Sequence, residues 1–278
     1  MSERERFFWA KKLHKILLMC TVVLLRRPNH PWPLLLATNR DERTDRPWLP
    51  PARHWAQDNG EDSGEDREHV TAGLDQLAGG TWLGVNDRGM VAAVLNRPGT
   101  LGPAENKRTR GELVLEALDF ESAQAAADAL RHLEPDAYRP FNLVVADAQD
   151  AYWLAAREGE ARIHVEEIGE GLSMLTAHDL NDAQGSSRIR HYRPLFEAAR
   201  VPNPDCGDWT AWETLLASRQ GAPGTGPENA MNISMDDGFG TRSSSLIALP
   251  RPQPPPRPPV WRFCHGAPDS GRWTDITF

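Results

Sequence analysis

The chain has 278 residues but only three cysteines, Cys20, Cys206 and Cys264. An odd and small number excludes a disulfide framework and fits reduced thiols. CxxC and HExxH are both missing and the nine histidines are scattered, so no metal site is expected. Excess positive charge is missing as well. The formal net charge is −8 and no basic stripe occurs, so no nucleic-acid partner is expected. Nor is there a long hydrophobic run: Ile16 to Leu25 is the apolar stretch near the start, about half of the ~20 residues a membrane span requires. No stable membrane insertion follows from it. Internal repeats are absent too, and no zipper seam fixes an oligomeric state.

What is present is ordinary for a globular protein: 40% hydrophobic and 25% charged residues. A chain of this length buries most of its apolar surface without staples. Lys11, Lys12 and Lys15 precede the apolar run, which gives it the outline of a signal sequence, and Leu17-Leu18-Met19-Cys20 imitates a lipoprotein cleavage box. Bulky Met19 stands where a small residue is wanted, and the apolar run continues past Cys20, so a cytoplasmic protein is the expectation. Residues 1–18 read as an upstream extension or a removable propeptide, and 19–278 as a single domain. Asp58, Glu61, Asp62, Glu65, Asp66 and Glu68 mark a solvated acidic loop. Arg251–Pro259 (RPQPPPRPP) reads as a stiff polyproline connector rather than an SH3 ligand.

Strands are expected at Thr21–Leu25 and Leu34–Thr38, then at Thr81–Val85 and Met90–Asn96, which Asn86-Asp87-Arg88-Gly89 joins as a hairpin. Gly111 to Leu133 reads as helix, broken near Asp119 with Ser122 as a cap and stopped by Pro135. Strands follow at Phe141–Ala146, Ala151–Ala155, Arg162–Glu167 and Leu172–Thr176. Ser187–Ala199 and Trp209–Ser218 read as helices. Met231–Met235, Ser244–Leu249, Val260–Cys264 and Trp273–Phe278 close the chain as strands. Few helices separate consecutive strands. The order therefore points to an α+β fold of antiparallel sheets with helices grouped outside them, not to a doubly wound parallel sheet.

The residue with the most chemistry is Cys20. Translation from Met19 followed by methionine trimming would make it N-terminal, and a thiol beside a free α-amine combines nucleophile and base. The amine's ordinary pKa of about 7.7–8.0 suits a general base. Asn39-Arg40-Asp41-Glu42 closes the second expected strand. If that strand pairs with the first, Asp41 can bind the α-ammonium and Arg40 can favour the thiolate. Asn96, ending a buried strand, can donate to an oxyanion, a contribution of about 3 kcal/mol. Arg242, just before a strand, can grip a carboxylate or phosphate.

Met19-Cys20-Thr21, Asn39-Arg40-Asp41-Glu42-Arg43 with Arg46-Pro47, Gly79-Gly80-Thr81-Trp82-Leu83-Gly84, Arg110-Gly111-Glu112-Leu113-Val114, Phe141-Asn142-Leu143 and Gly240-Thr241-Arg242 occur in one order. Together they resemble the NRDE (transport and Golgi organisation 2-like) family, from Met19 to about Leu249. That family is similar to N-terminal nucleophile hydrolases such as choloylglycine hydrolases and penicillin V acylases. The resemblance implies a four-layer αββα sandwich. It implies Cys20, Asp41, Asn96 and Arg40 as catalytic residues and Arg242, Asn39, His178 and Trp82 as substrate-binding ones, with no cofactor. The substrate would be a small acylated molecule bearing an amide or thioester.

Two departures stand out. Thr38 occupies the place of an arginine that those hydrolases carry. Leu175-Thr176-Ala177-His178 replaces an expected Leu-Ser-Asn stretch, so His178 or Asn181 would have to do the missing asparagine's work. The resemblance also implies a rival function, a non-catalytic carrier of haem, lipid or acyl-CoA. The ten tryptophans could line an apolar pocket, although core positions suit most of them.

Overall fold

A computed structural model of the chain describes residues 20–56 and 67–278. The expected extension 1–18 and most of the acidic loop lie outside the described residues. Two antiparallel sheets form the centre. The first has six strands in the order β10-β1-β2-β11-β12-β13: β1 is Thr21–Arg26, β2 Leu34–Arg43, β10 Gly171–Leu175, β11 Phe239–Leu249, β12 Val260–His265 and β13 Arg272–Asp275. The second has seven, in chain order: β3 Trp48–Ala52, β4 Val70–Asp75, β5 Leu83–Asn86, β6 Val91–Asn96, β7 Phe141–Ala146, β8 Ala151–Ala156 and β9 His164–Glu167. Helices α1 (Gly111–Leu118) and α2 (Ala123–Leu130) cover the outer face of the second sheet. Helices α3 (Ser187–Ala198) and α4 (Thr210–Leu216) cover that of the first.

Strand periodicity builds these layers. In β1, Val22 and Leu24 belong to the core between the sheets, whereas Val23 faces α3 and α4. In β2, Leu34 and Leu36 face the other sheet, and Leu35 and Ala37 face the helices. Both faces of each sheet are thus buried, giving three apolar layers inside four structural ones: the expected αββα sandwich.

The elements differ from expectation in three places. β2 runs five residues past Thr38, so Asn39-Arg40-Asp41-Glu42 lies within the strand. Its alternating polar side chains find partners on both faces. Met231–Met235 is not a strand: only Ser234 forms an isolated bridge, to Gly240, and the Met231 carbonyl accepts from the Asn39 amide. The third difference is β3 and β4, for which no strand was expected. β3 carries Pro50 and Pro51 and lies at a sheet edge, where a missing donor is tolerated. The break between α1 and α2 falls where expected, and the Ser122 hydroxyl accepts from the Ala125 N–H as an N-cap.

A close backbone approach joins the Gly79-Gly80 turn to the start of α1. The Thr81 N–H donates to the Gly111 carbonyl at 3.1 Å. A Cβ on Gly80 would lie 2.5 Å from the Gly111 carbonyl carbon, so only glycine fits there.

Candidate active site

Cys20 immediately precedes β1. The β1–β2 register pairs Thr21 with Asn39, and the β1–β10 register pairs Val22 with Leu175. Continued to Cys20, these registers set it between Arg40 on one side and Ala177 on the other. Parity does the rest. Cys20 packs against the inter-sheet core, on the face of β2 that carries Thr38, Arg40 and Glu42. Asp41 lies one step beyond Cys20 in the N-terminal direction, on the opposite face. What Asp41 offers the thiol is its main chain: its N–H donates to Cys20 Sγ at 3.4 Å. Burial pushes the Cys20 thiol up to about 12, helped by the negative charge of Asp41, with the Asp41 N–H and the Arg40 cation pulling the other way.

The Asp41 carboxylate is fully buried and held on both oxygens. Thr241 donates to Oδ1 at 2.7 Å, and Arg188 Nη1 to Oδ2 at 3.1 Å. Arg188, on the first turn of α3, also donates to the Thr21 hydroxyl at 2.7 Å. Burial raises Asp41 to about 6, against the opposing pull of Arg188 and Thr241. Sequence reasoning missed Arg188. It is distant in sequence and stands in an unremarkable polar run, and only the docking of α3 on β1 and β2 brings it in.

Arg40 is buried between tryptophans of the second sheet, 4.1 Å from the Trp82 ring centroid and 5.7 Å from that of Trp48. Trp82 is therefore a wall of the site. Trp48 stacks on His265 at 4.6 Å, so the two sheets meet here through aromatic rings. Arg40 Nη2 lies 3.9 Å from Glu42, and Nη1 has no hydrogen-bond partner among the described residues. Desolvation lowers its pKa, with the Glu42 and Cys20 charges opposing.

Arg242 sits at a bulge. Thr241 pairs with Asp41 and Ser243 with Arg40, leaving Arg242 as the extra residue. Its Nε is buried without a partner among the described residues. Arg110, which opens α1, is a further buried arginine for which the sequence signals no role beyond its motif. Its Nη1 donates to Thr100 Oγ1 at 3.0 Å and to the Pro140 carbonyl at 3.1 Å. Burial, with Arg139 alongside, lowers it to about 10, and the charges of Cys20 and Glu42 oppose the shift.

Other expected site residues stand elsewhere. Asn39 is fully buried on the helix-facing side, donating to the Leu216 and Met231 carbonyls and accepting from Ser244 Oγ. Its amide hydrogens are spent on protein carbonyls, so it braces β2 against the layer of α4 and does not face substrate. Asn96 ends β6 opposite Phe141, and alternation places it with Ala92 and Val94 on the helix-facing side. Asn181 closes the turn after β10: Oδ1 accepts from the Met174 N–H at 2.8 Å and Nδ2 donates to Ser173 Oγ. That occupation removes it as a substitute for the missing asparagine. His178 is half-buried and lines a small polar pocket with Ala177, Ser186, Arg188 and Asn229, beside Asp41's ion pair. Burial lowers its pKa. Asn142 holds this segment in place, donating to the carbonyls of Thr176 and His178 at 2.9 and 2.8 Å.

The family model for Transport and Golgi organisation 2 matches residues 19–253, from the methionine before Cys20 through β11. The chain belongs to this family. Similar curated relatives are the Transport and Golgi organization protein 2 homologs of Bos taurus and Homo sapiens. The first is 36% identical over 144 residues, 49% of this chain and 45% of that protein. The second is 37% identical over 120 residues, 42% of this chain and 40% of that protein. The chain thus spans less than half the length of the curated relatives it matches.

Among solved structures, it is similar to a mutant of conjugated bile acid hydrolase from Clostridium perfringens, with a TM-score of 0.51, 10% identity, and 93% and 97% of the two chains covered. It is also similar to the Caenorhabditis elegans ortholog of N-acylethanolamine-hydrolyzing acid amidase, with a TM-score of 0.50, 14% identity, and 82% and 92% covered. At such identities the likeness is one of fold. The fold shared with them is the two-sheet sandwich with helices on both outer faces. No helix among the described residues is long and apolar enough to cross a membrane.

Proposed function

We propose that the protein is an N-terminal-cysteine hydrolase acting on an amide or thioester of a small acylated molecule. The observation that carries this reading is the pairing around Cys20: a thiol at the head of β1, with a buried carboxylate, Asp41, one step beyond it toward its own main-chain nitrogen. Once Met19 is removed, that nitrogen is an α-amine whose ordinary pKa of about 7.7–8.0 makes its neutral, basic form accessible near neutral pH, and Asp41 is the anion that orients it. As long as residue 19 is attached the nitrogen is an amide without basicity, and the thiol is pushed up to about 12.

In the freed chain the Cys20 amine takes the thiol proton and the thiolate attacks the carbonyl carbon. The tetrahedral intermediate collapses as the leaving amine or thiol departs with that proton. Water, deprotonated by the same amine, then cleaves the Cys20 thioester and releases the acid. Arg40 supports the thiolate. Backbone N–H groups beside Cys20 hold the oxyanion, the role that the resemblance gives to Asn96.

An electrophilic amide probe tests the reading. Cys20→Ala is expected to abolish the acyl-enzyme adduct, and labelling that persists overturns the proposal. The intact mass of protein purified from its own host is the companion measurement, expected to begin at Cys20. Titration with haemin and acyl-CoA separates the carrier alternative: saturable binding that survives Cys20→Ala, with no product formed, would favour it.

A further inference from the structure

Around Cys20 the inter-sheet space holds more cation than it can pair. Arg40, Arg46 and Arg110, the last with Arg139 alongside, contribute guanidiniums, and Glu42 and Asp75 are carboxylates whose charges bear on Arg40. Asp75 is taken up by Arg46 at 2.6 Å. Glu42 is divided between Arg40 at 3.9 Å and Arg46 at 3.7 Å, beyond hydrogen-bonding distance of either. Arg110 and Arg139 donate to carbonyls and to the Thr100 hydroxyl, and neither has a carboxylate within salt-bridge range among the described residues. Arg40 is 4% exposed and its Nη1 has no partner among the described residues. Burying an unpaired guanidinium donor is costly and is tolerated where a ligand supplies the missing anion.

We infer that Arg40 and Arg110 form an oxyanion-group subsite beside Cys20, so that the substrate carries a carboxylate or phosphate close to its scissile carbonyl. This rests on Cys20 being the reactive thiol of the site. Trp82 holds the Arg40 guanidinium plane, which leaves the Nη1 edge to meet two oxygens of a planar or tetrahedral anion. The Thr100 hydroxyl and the Pro140 carbonyl fix Arg110 from behind. The continued β1–β2 register sets Arg40 beside Cys20, and Gly111, next to Arg110, accepts from the Thr81 N–H beside the Trp82 ring that covers Arg40, so an anion seated on the two cations lies near the sulfur.

Iodoacetate and iodoacetamide test this without requiring turnover or a free amine. With either reagent, Sγ forms a bond to the methylene carbon, iodide leaves and the thiol proton goes to buffer. The full chain is alkylated and the adducts at Cys20 and at exposed Cys206 are counted by peptide mass. The iodoacetate-to-iodoacetamide rate ratio is expected to be at least about tenfold higher at Cys20 than at Cys206. It should fall by about tenfold in Arg40→Gln and in Arg110→Gln, with partial recovery in Arg110→Lys.

If Arg40→Gln fails to melt cooperatively, protection of the unaltered chain replaces it. Glutarate or inorganic phosphate should slow iodoacetamide at Cys20 and leave Cys206 untouched. Protection by glutarate alone assigns a carboxylate, and protection by phosphate assigns a phosphate group. Equal ratios at the two cysteines, a ratio indifferent to Arg110→Gln, or no protection by either anion overturns the subsite. A missing acyl-enzyme adduct would instead overturn the hydrolase reading and leave these results standing.

Discussion

Arg188 Nη1 lies 3.1 Å from Asp41 Oδ2, an ion pair with both side chains buried that ties α3 to β2 directly behind Cys20. Removing the cation strands a buried carboxylate, a change that costs about 3–5 kcal/mol. Arg188→Met should destabilise the protein by that order at pH 7.5. The pH dependence follows from the Asp41 shift. Its folded value, about 6, lies above the ordinary value of 3.8. Its contribution to stability is therefore greatest below pH 4 and is lost as pH rises through 6. Without Arg188 the carboxylate is driven higher still, so the gap between variant and parent should narrow from pH 7.5 to pH 5. Thermal melts at the two pH values check it, and a gap that widens toward acid contradicts the assignment.

The Cys20 thiol, raised to about 12 with residue 19 attached, should be protonated at neutral pH. In the full chain its alkylation rate by iodoacetamide is expected to climb about tenfold per pH unit from 7 to 10, since the thiolate is the nucleophile. A plateau below pH 9 would show that its environment is more cationic than the geometry gives.

Asn142 makes four side-chain hydrogen bonds: to the carbonyls of Thr176 and His178, and from Arg97 and Trp153 Nε1. Asn142→Ala leaves several buried groups unpaired, at about 1–3 kcal/mol each when nothing replaces the partner. A loss of at least about 3 kcal/mol in urea unfolding is expected, with the m-value unchanged. The 176–179 segment is also held by Asp179, paired with Arg97 at 2.7 Å and Arg157 at 2.9 Å, so the loosening should be local.

Gly80→Ala drives a methyl into the Gly111 backbone, whereas Gly79, at φ +72°, has open space around its missing Cβ. Overpacking of that kind costs about 1–3 kcal/mol, and the Gly111 backbone it meets is the residue after Arg110. The Gly80 variant should therefore lose anion selectivity at Cys20 along with stability, and Gly79→Ala should lose only stability. Equal selectivity in the two would separate the glycine contact from the position of Arg110.

Asn96→Ala tests the oxyanion assignment. Its place on the helix-facing side of β6 predicts retained acyl-enzyme formation, with backbone N–H groups carrying the charge. A fall of about 10²–10³ in acylation rate, typical of a lost oxyanion donor, would restore the asparagine to the role.

The two-sheet plan and most strands were legible because runs such as Phe141–Ala146 and Ala151–Ala156 are almost uniformly apolar, as strands buried on both faces are. The polar end of β2 was not legible as strand. Its alternation is hidden when both faces carry polar residues, Arg40 toward tryptophans and Asp41 toward Arg188. Cys20 and Asp41 were legible through the ordered motifs. The face on which Asn39 and Asn96 lie was not, because face depends on strand register and on where a strand starts. Arg188 had no sequence signal, since helix docking, not chain proximity, creates its contact. Five of the ten tryptophans, Trp32, Trp153, Trp209, Trp212 and Trp261, are fully buried, which gives half of them a core role.

Arg40 and Asp41 are neighbours in the chain yet occupy separate compartments, one lined by indole rings and one closed by a helix. Sequence spacing in β2 is therefore under a counting constraint that composition does not reveal. One residue inserted between Thr38 and Asn39 would preserve every side chain but trade the compartments' tenants, turning the Asp41 carboxylate to the tryptophan side and setting a guanidinium against Arg188. Such a chain would keep the motif letter for letter and present two like-charged cations where an ion pair had been. Two inserted residues would restore each side chain to its own side.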